Sequence, residues 1–167
     1  MDYTVRVAVI TASDSGYRGE RATDISGDVI CDMCKEAGME IAHRIMLPDD
    51  RKMLAEEMAR ICDESVADLI LTTGGTGFSK RDITPEATKA VIEREALGIV
   101  EAIRFYSLQI TKRAMLSRAT SGIRKNTLII NLPGSPKACK EALDFVLDDV
   151  KHGIEILLGK AKECARK

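Results

Sequence analysis

The sequence predicts an α/β protein with a doubly wound, mostly parallel sheet, and three observations lead to this prediction. Strand-like and helix-like segments alternate along the chain, as they do in parallel α/β domains. Residues 68–73 and 127–132 are largely apolar or β-branched, as expected for strands buried on both faces. The 167 residues suit a single domain, which we place at residues 1–159, ahead of a charged tail at residues 160–167.

The chain begins with a predicted strand, helix and second strand. Residues 3–11 form the first strand, and a polar, glycine-containing loop follows it. Asp24 or Ser26 then caps a helix whose apolar residues recur at helical spacing until Gly38 ends it. The second strand spans about residues 40–46.

A turn made of Pro48, Asp49 and Asp50 begins the second helix, which carries apolar residues at helical spacing. From the residues alone, Asp49 fits equally an N-cap of this helix and a functional carboxylate. The third strand, residues 68–73, ends abruptly at a glycine-rich turn.

The second half of the chain is predicted to be mostly helical. Thr84 as N-cap and a proline after it begin a helix that continues to about Arg94, and another spans residues 98–110. Residues 111–122 carry no clear pattern. The strand at 127–132 precedes one helix at about residues 136–149 and another at about residues 150–158.

The composition restricts the partners and the cellular location. A formal net charge of −1 provides no basic surface, so nucleic acid is not an expected partner. No apolar run approaches the ~20 residues that span a membrane, and no signal-peptide pattern opens the chain, so we expect a cytoplasmic protein. The five cysteines are interpreted as reduced thiols, including the C-x-x-C pair Cys31 and Cys34 inside a helix.

The glycine-rich turn after the third strand is the strongest candidate for a binding site. Its residues are Thr73, Gly74, Gly75, Thr76 and Gly77. Glycines let backbone amides approach a ligand closely, and such a row of amides binds anions. Neither the G-x-G-x-x-G nor the P-loop pattern is present, and a purely structural turn stays an alternative.

Polar loops follow each of the four predicted strands. In a parallel sheet these loops lie at one edge, where ligands bind near the topological switch point. They would bring together three carboxylates, Asp14, Asp49 and Asp82. Carboxylates beside a phosphate are best explained by Mg²⁺, which takes one or two carboxylates together with phosphate oxygens.

Five segments together resemble the molybdopterin adenylyltransferase family, the MogA/MoaB group to which the gephyrin G domain is related. They are PDD (48–50), TTGGTG (72–77), RDITPEAT (81–88), SRATSGIR (117–124) and NLPGSPKA (131–138). The resemblance implies a three-layer α/β fold, usually a homotrimer. It also implies Mg²⁺-dependent transfer of AMP from ATP to the terminal phosphate of molybdopterin, with release of pyrophosphate and transfer of the product to a metal-insertion enzyme.

The resemblance assigns roles to residues of this chain. Asp49 and Asp82 match the catalytic acidic positions and would also hold the metal. The substrate-binding positions are matched by Ser13, Asp14, Thr73, Gly74, Gly75, Thr76, Gly77, Glu101, Ser117, Arg118, Asn131, Pro133, Gly134 and Ser135. Lys80, Arg81 and Lys137 are secondary candidates for neutralising phosphate charge.

Two other functions stay open. One is a MoaB-like protein of the same fold that binds the pterin without turnover, although the R-D-x-T-P form around Asp82 resembles the adenylyltransferase branch. The other is a dinucleotide-dependent redox enzyme on a doubly wound sheet. The missing G-x-G-x-x-G and the lack of a suitably placed ribose-binding acid count against the redox enzyme.

Overall fold

One six-stranded sheet organises the computed structural model, which describes residues 3–161. The strands are β1 (Arg6–Ala12), β2 (Glu40–Leu47), β3 (Leu69–Thr73), β4 (Arg94–Glu95), β5 (Ser121–Arg124) and β6 (Thr127–Leu132). Their spatial order is β2-β1-β3-β6-β5-β4. The first four strands pair in parallel, whereas β5 pairs antiparallel with both of its neighbours, β6 and β4. The predicted α/β class and mostly parallel sheet are confirmed.

Helices cover both faces of the sheet. They are α1 (Asp14–Tyr17), α2 (Ile25–Glu36), α3 (Arg51–Asp63), α4 (Thr84–Val91), α5 (Gly98–Leu108) and α6 (Pro136–Leu157), with a 3₁₀ helix at Lys112–Leu116. Alternate residues of β1 enter two separate cores, Val7 and Val9 on one face and Ala8 and Ile10 on the other. The first core contains residues of α2, α5 and α6, and the second contains residues of α3 and α4, so the fold has three layers.

Several predicted boundaries were wrong. α6 is one helix of 22 residues rather than two, because buried residues at helical spacing continue past Val150 to Ile154. α4 ends at Val91, and the following residues turn into β4. The patternless region at 111–122 contains the 3₁₀ helix and the start of β5. The short strands β4 and β5 are defined by their pairing with neighbouring strands, not by a local apolar pattern.

The helix caps clarify the roles of two aspartates. Asp24 caps α2 by accepting a hydrogen bond from the Gly27 N–H at 3.1 Å. Asp50, not Asp49, caps α3 by accepting from the Met53 N–H at 2.8 Å. The interpretation of Asp49 as the N-cap of α3 is therefore wrong. Its carboxylate instead accepts a hydrogen bond from the backbone N–H of Asp14.

Other expectations have mixed outcomes. Thr84 is not the cap of α4, since it lies inside the helix with a buried side chain. All four described cysteines are free, as predicted, and the structure places each of them in a buried position: Cys31, Cys34, Cys62 and Cys139. Most of the predicted tail, residues 162–167, lies outside the described part of the chain. Within residues 3–161 there is no helix with the length and apolar character needed to cross a membrane.

Asp68 is buried and forms an ion pair with the partly exposed Arg6, and this pair makes stability depend on pH. Its carboxylate accepts hydrogen bonds from the Tyr3 hydroxyl at 2.7 Å and from the backbone N–H and Nη2 of Arg6 at 2.9 and 2.8 Å. Burial acts to raise the pKa of Asp68, but the bonds from Arg6 and Tyr3 outweigh it, and the pKa lies below its ordinary value. The resulting stabilisation is present above the unfolded-state pKa and is lost as the pH falls through the lower folded-state pKa.

Asp68→Asn is therefore expected to lower the free energy of unfolding by about 2 kcal/mol at neutral pH. It should also flatten the dependence of that free energy on pH in the acidic range. Urea unfolding at several pH values measures both effects. Asp144→Asn, which removes an exposed partner of Lys140, is the control and should change stability by less than about 0.5 kcal/mol. Equal losses in the two variants would contradict this account of Asp68.

Candidate active site at the carboxyl edge of the sheet

A cavity of about 840 Å³ lies at the carboxyl ends of β1 and β3. The strand order reverses between these two strands, because β2 lies on one side of β1 and β3 lies on the other. Ligands of doubly wound sheets bind at such a switch point. The cavity brings together eight of the predicted site residues: Ser13, Asp14, Asp49, Thr73, Gly74, Gly75, Asp82 and Gly134.

The glycine turn is held tightly between β1 and α4. Gly74 and Gly75 have φ angles of +92° and +69°, in the left-handed region that favours glycine. A Cβ on Gly74 would lie 2.4 Å from the carbonyl oxygen of Ala12, and one on Gly75 would lie 2.4 Å from Oγ1 of Thr84. Both positions therefore require glycine, and the path of the backbone past the cavity is fixed.

Asp14 and Asp49 join the loops that follow β1 and β2. The Asp14 N–H donates to Oδ2 of Asp49 at 3.1 Å, and the Asp49 N–H donates to Oδ1 of Asp14 at 3.0 Å. Nε and Nη2 of Arg81 donate to the two carboxylate oxygens of Asp14, each at 2.9 Å. These bonds bring Arg81, from the loop after β3, against the ends of the other two strands.

The two carboxyl groups are in opposite electrostatic surroundings. The Arg81 guanidinium holds the pKa of Asp14 below its ordinary value. Burial, together with the nearby carboxylates of Asp14 and Asp82, raises the pKa of Asp49. Asp49 is therefore a partly buried anion that a bound cation would stabilise.

Asp49 and Asp82 fit a Mg²⁺ ion as oxygen ligands. Oδ1 of Asp49 is buried and has no hydrogen-bond partner in the described chain, and it lies 3.1 Å from the position of a Cβ on Gly75. Asp82 Oδ2 accepts from the Ser79 N–H at 3.0 Å and lies beside the backbone of Gly77. Mg²⁺ is commonly held by one or two carboxylates, with water and substrate phosphate completing its shell. Among residues 3–161, no three side chains of His, Cys, Asp or Glu form a metal-binding cluster.

Some predicted binding residues support the cavity from inside the protein. The Asn131 side chain is buried, where its Nδ2 donates to the hydroxyls of Thr72 and Thr88. The Thr73 hydroxyl donates to the carbonyl oxygen of Pro133 at 2.6 Å. Ser135 caps α6 by accepting from a backbone N–H of its first turn. Asn131 therefore ties β6 to β3 and α4, and Thr73 ties β3 to the loop after β6.

The remaining predicted residues lie away from the cavity lining. Glu101 is exposed on α5. The Ser117 hydroxyl oxygen accepts from the Ala119 N–H at 3.3 Å. Arg118 donates hydrogen bonds to the carbonyl oxygens of Thr76 and Gly77, and none of the three residues lines the cavity. Their proposed contact with substrate stays a prediction.

Sequence reasoning missed part of the lining. Arg18, Arg21, Thr23, Asp24 and Met46 also line the cavity. The two arginines follow β1 in a polar segment, where their positive charge was the only feature of the sequence that could indicate a binding site. The contact between Arg81 and Asp14 spans 67 residues of sequence, so no local pattern could predict it.

The fold and the site define a class of protein: a doubly wound α/β protein that brings several carboxylates and a glycine turn together at its switch point. Comparison with known proteins identifies the family. Residues 8–152 match the family described as "Probable molybdopterin binding domain", and the chain belongs to this family.

Individual relatives agree with this assignment. The chain is 37% identical over 166 residues to a Helicobacter pylori J99 protein named molybdopterin adenylyltransferase, covering 98% of this chain and 94% of the relative. It is similar in structure to the molybdopterin biosynthesis enzyme MoaB of Thermus thermophilus, with a TM-score of 0.88, 40% identity and coverage of 96% and 100%. The tungsten cofactor synthesizing protein MoaB of Pyrococcus furiosus gives a TM-score of 0.83, 33% identity and coverage of 94% and 99%. The resemblance found in the sequence is thereby confirmed.

Proposed function

We propose that the chain is a molybdopterin adenylyltransferase of molybdenum cofactor biosynthesis, which transfers AMP from ATP to the terminal phosphate of molybdopterin and releases pyrophosphate. The observation that carries this proposal is the position of Asp49 and Asp82 beside the glycine turn in one cavity. Homology to proteins named molybdopterin adenylyltransferase supplies the reaction. The glycine turn, Asp49 and Asp82 would together hold the two phosphorylated substrates.

The glycine turn would bind the terminal phosphate of molybdopterin. Gly74 and Gly75 adopt the left-handed conformation that exposes backbone amides, and consecutive amides form an anion-binding concavity. Gly134 approaches this turn closely, since a Cβ on it would lie 3.5 Å from the Cα of Gly74. The loop after β6 would therefore enclose the same phosphate, with Ser13 at the end of β1.

Asp49 and Asp82 would hold Mg²⁺ against the triphosphate of ATP. When bound, the ion would neutralise phosphate charge and stabilise the pyrophosphate that leaves. Arg81 is anchored on Asp14 at the same cavity, so its positive charge lies near the incoming anions. Lys80 and Lys137 would add positive charge from the surface.

The reaction then depends on alignment more than on covalent chemistry by the protein. An oxygen of the molybdopterin phosphate forms a bond to the α-phosphorus of ATP as the bond to pyrophosphate breaks on the opposite side. Phosphoryl-type transfers of this kind are accelerated chiefly by positioning and charge stabilisation. The fixed turn positions the attacking phosphate, and the paired loops of Asp14 and Asp49 position ATP.

A second candidate is a MoaB-like protein that binds the pterin without turning it over. The observation that favours it is the description of the matched family as a molybdopterin binding domain, which names binding and not turnover. The two candidates share the fold and the cavity, so only turnover separates them.

A direct assay separates the two candidates. Purified protein is incubated with molybdopterin, ATP and Mg²⁺, and pyrophosphate release is followed. We expect release that requires all three components. Tight molybdopterin binding without release would contradict the enzyme and support the binding protein.

We also infer a homotrimer, which the family resemblance implies, and we place its interface on α5, the adjacent 3₁₀ helix and the residues between them. The exposed apolar side chains there are Phe105, Leu108, Ile110, Met115 and Leu116. Exposed apolar side chains are typical of an interface between subunits when they form one surface. The trimer would act in the cytoplasm and transfer its adenylylated product to a metal-insertion enzyme.

Introducing charge into this surface is expected to dissociate the trimer. Phe105→Glu and Met115→Glu, at side chains that are 67% and 63% exposed, should each shift the protein from trimer to monomer in sedimentation velocity. Ile156→Glu is the control, since Ile156 is 58% exposed on α6. A trimer that survives both surface variants would place the interface elsewhere.

A further inference from the structure

Arg118 makes four hydrogen bonds to residues that flank the exposed loop 78–81, which joins the glycine turn to α4. Its backbone N–H donates to the Thr76 carbonyl oxygen at 2.8 Å. Its Nε donates to the carbonyl oxygen of Gly77 and its Nη2 to that of Asp82, each at 2.7 Å. Its Nη1 donates to the carboxylate of Glu86. All three guanidinium nitrogens are therefore bonded, one to the glycine turn before this loop and two to Asp82 and Glu86 after it.

These contacts span both ends of the loop. Phe78, Ser79, Lys80 and Arg81 between them are all exposed, so the protein core does not hold this stretch in place. Inside the loop, Oδ2 of Asp82 accepts from the Ser79 N–H. Arg81 anchors the loop on Asp14, and Arg118 supplies the long-range bonds that join the backbones of Gly77 and Asp82 at its two ends.

Arg118 does not share the cavity with Asp82. Asp82 lines the cavity together with Asp49 and Gly75, whereas the guanidinium bonds to the carbonyl oxygen of Asp82 and leaves its carboxylate untouched. The positive charge of Arg118 is balanced by Glu86 on α4. Both observations argue against a side chain whose main task is to bind a substrate anion.

We propose that Arg118 is a positioning residue, which holds Asp82 and the glycine turn in register, rather than a ligand of molybdopterin. This proposal rests on the proposed function, in which Asp82 helps to hold Mg²⁺. Small displacements of a metal ligand are costly, and loss of a group that orients such a ligand lowers metal affinity about 10-fold to 100-fold.

Two substitutions separate positioning from substrate binding. Arg118→Met removes the charge and the donors, while Arg118→Lys keeps the charge but loses the planar fork that reaches two carbonyl oxygens at once. If Arg118 positions Asp82, both variants should lower kcat about 100-fold, since that is the cost of a misplacement near 1 Å. Molybdopterin Kd should change by less than about twofold, because no substrate contact is lost.

The readouts include two that do not require turnover. Mn²⁺ binding, measured by electron paramagnetic resonance without substrates, should weaken about tenfold in both variants. Hydrogen exchange of the amides at residues 77–82 should accelerate in both. Arg124→Met is the matched control, because Arg124 also bonds a carbonyl oxygen, that of Val91, and pairs with Asp63 away from the cavity. It should leave kcat, Mn²⁺ binding and exchange at 77–82 unchanged within about twofold.

The outcomes are distinct. Weaker molybdopterin binding in Arg118→Met that is restored in Arg118→Lys, with unchanged Mn²⁺ binding, would overturn the proposal and make Arg118 a substrate ligand. Unaltered exchange at residues 77–82 would overturn it as well. If the wild-type protein released no pyrophosphate, the proposed function would fail, whereas the exchange measurement would still test whether Arg118 holds the loop. If Arg118→Met does not fold, Mn²⁺ binding and exchange at residues 77–82 in Arg118→Lys are compared with the wild-type protein.

Discussion

Asp49→Asn is expected to lower kcat for adenylyl transfer about 1000-fold, equivalent to about 4 kcal/mol of transition-state stabilisation. Oδ1 of Asp49 is buried without a partner in the described chain, and the substitution removes the negative charge that would bind the cation there. The asparagine side chain can still accept the hydrogen bond that Asp14 N–H now donates to Oδ2, so the fold should survive. Pyrophosphate release and urea unfolding measure the two effects separately.

The neighbouring residue provides a closely matched control. Asp50→Asn makes the same chemical change one position along the chain, at the N-cap of α3. Asparagine caps helices about as well as aspartate, so stability should be nearly unchanged and kcat should stay within about twofold of wild type. Asp82→Asn should resemble Asp49→Asn. If Asp49→Asn retained more than about a tenth of wild-type kcat, the metal-binding role of Asp49 would be wrong.

Gly74→Ala is expected to damage both stability and activity. The new Cβ would meet the backbone oxygen of Ala12 at 2.4 Å, and the residue has a φ of +92°. Strain from the left-handed conformation and overpacking should together cost about 3 kcal/mol in the free energy of unfolding. Because β1 cannot yield, the glycine turn must move, and kcat should fall about 100-fold.

Gly38→Ala distinguishes conformational strain from the clash. Gly38 has a similar φ of +77°, but a Cβ there would come no closer than 4.0 Å to Nζ of Lys151. This substitution should cost only about 1 kcal/mol and leave kcat unchanged. Urea unfolding and the pyrophosphate assay applied to both variants provide the comparison. Equal effects at Gly38 and Gly74 would show that packing against β1 does not fix the turn.

Most of the fold could be predicted because its central strands carry strong local signals. Runs such as residues 69–73 are buried on both faces, and that burial requires a continuous apolar or β-branched sequence. β4 and β5 have only two and four residues, and neither contains a continuous apolar or β-branched run. Their conformation is determined by backbone hydrogen bonds to neighbouring strands of the sheet, which a local pattern does not reveal.

The candidate site was predicted less completely than the fold. Asn131 and Thr73 carry polar groups in the expected places, but both side chains bond inside the protein. Residue type alone does not distinguish a polar group that faces a ligand from one that ties two elements together. Arg81 was only a secondary candidate together with Lys80 and Lys137, yet it forms a bidentate pair with Asp14 at the cavity.

The sequence by itself determined the class of fold, the glycine turn and the loops that carry the carboxylates, because these features depend on local pattern and on the rule that parallel strands end at one edge. Only the tertiary structure decided which of those groups meet. Asp14 and Asp49 pair across 35 residues, and Arg118 reaches Gly77 across 41. Such contacts arise from the packing of whole elements, which places Asp49 beside Gly75 in the cavity and bonds Arg118 to Gly77 outside the cavity lining.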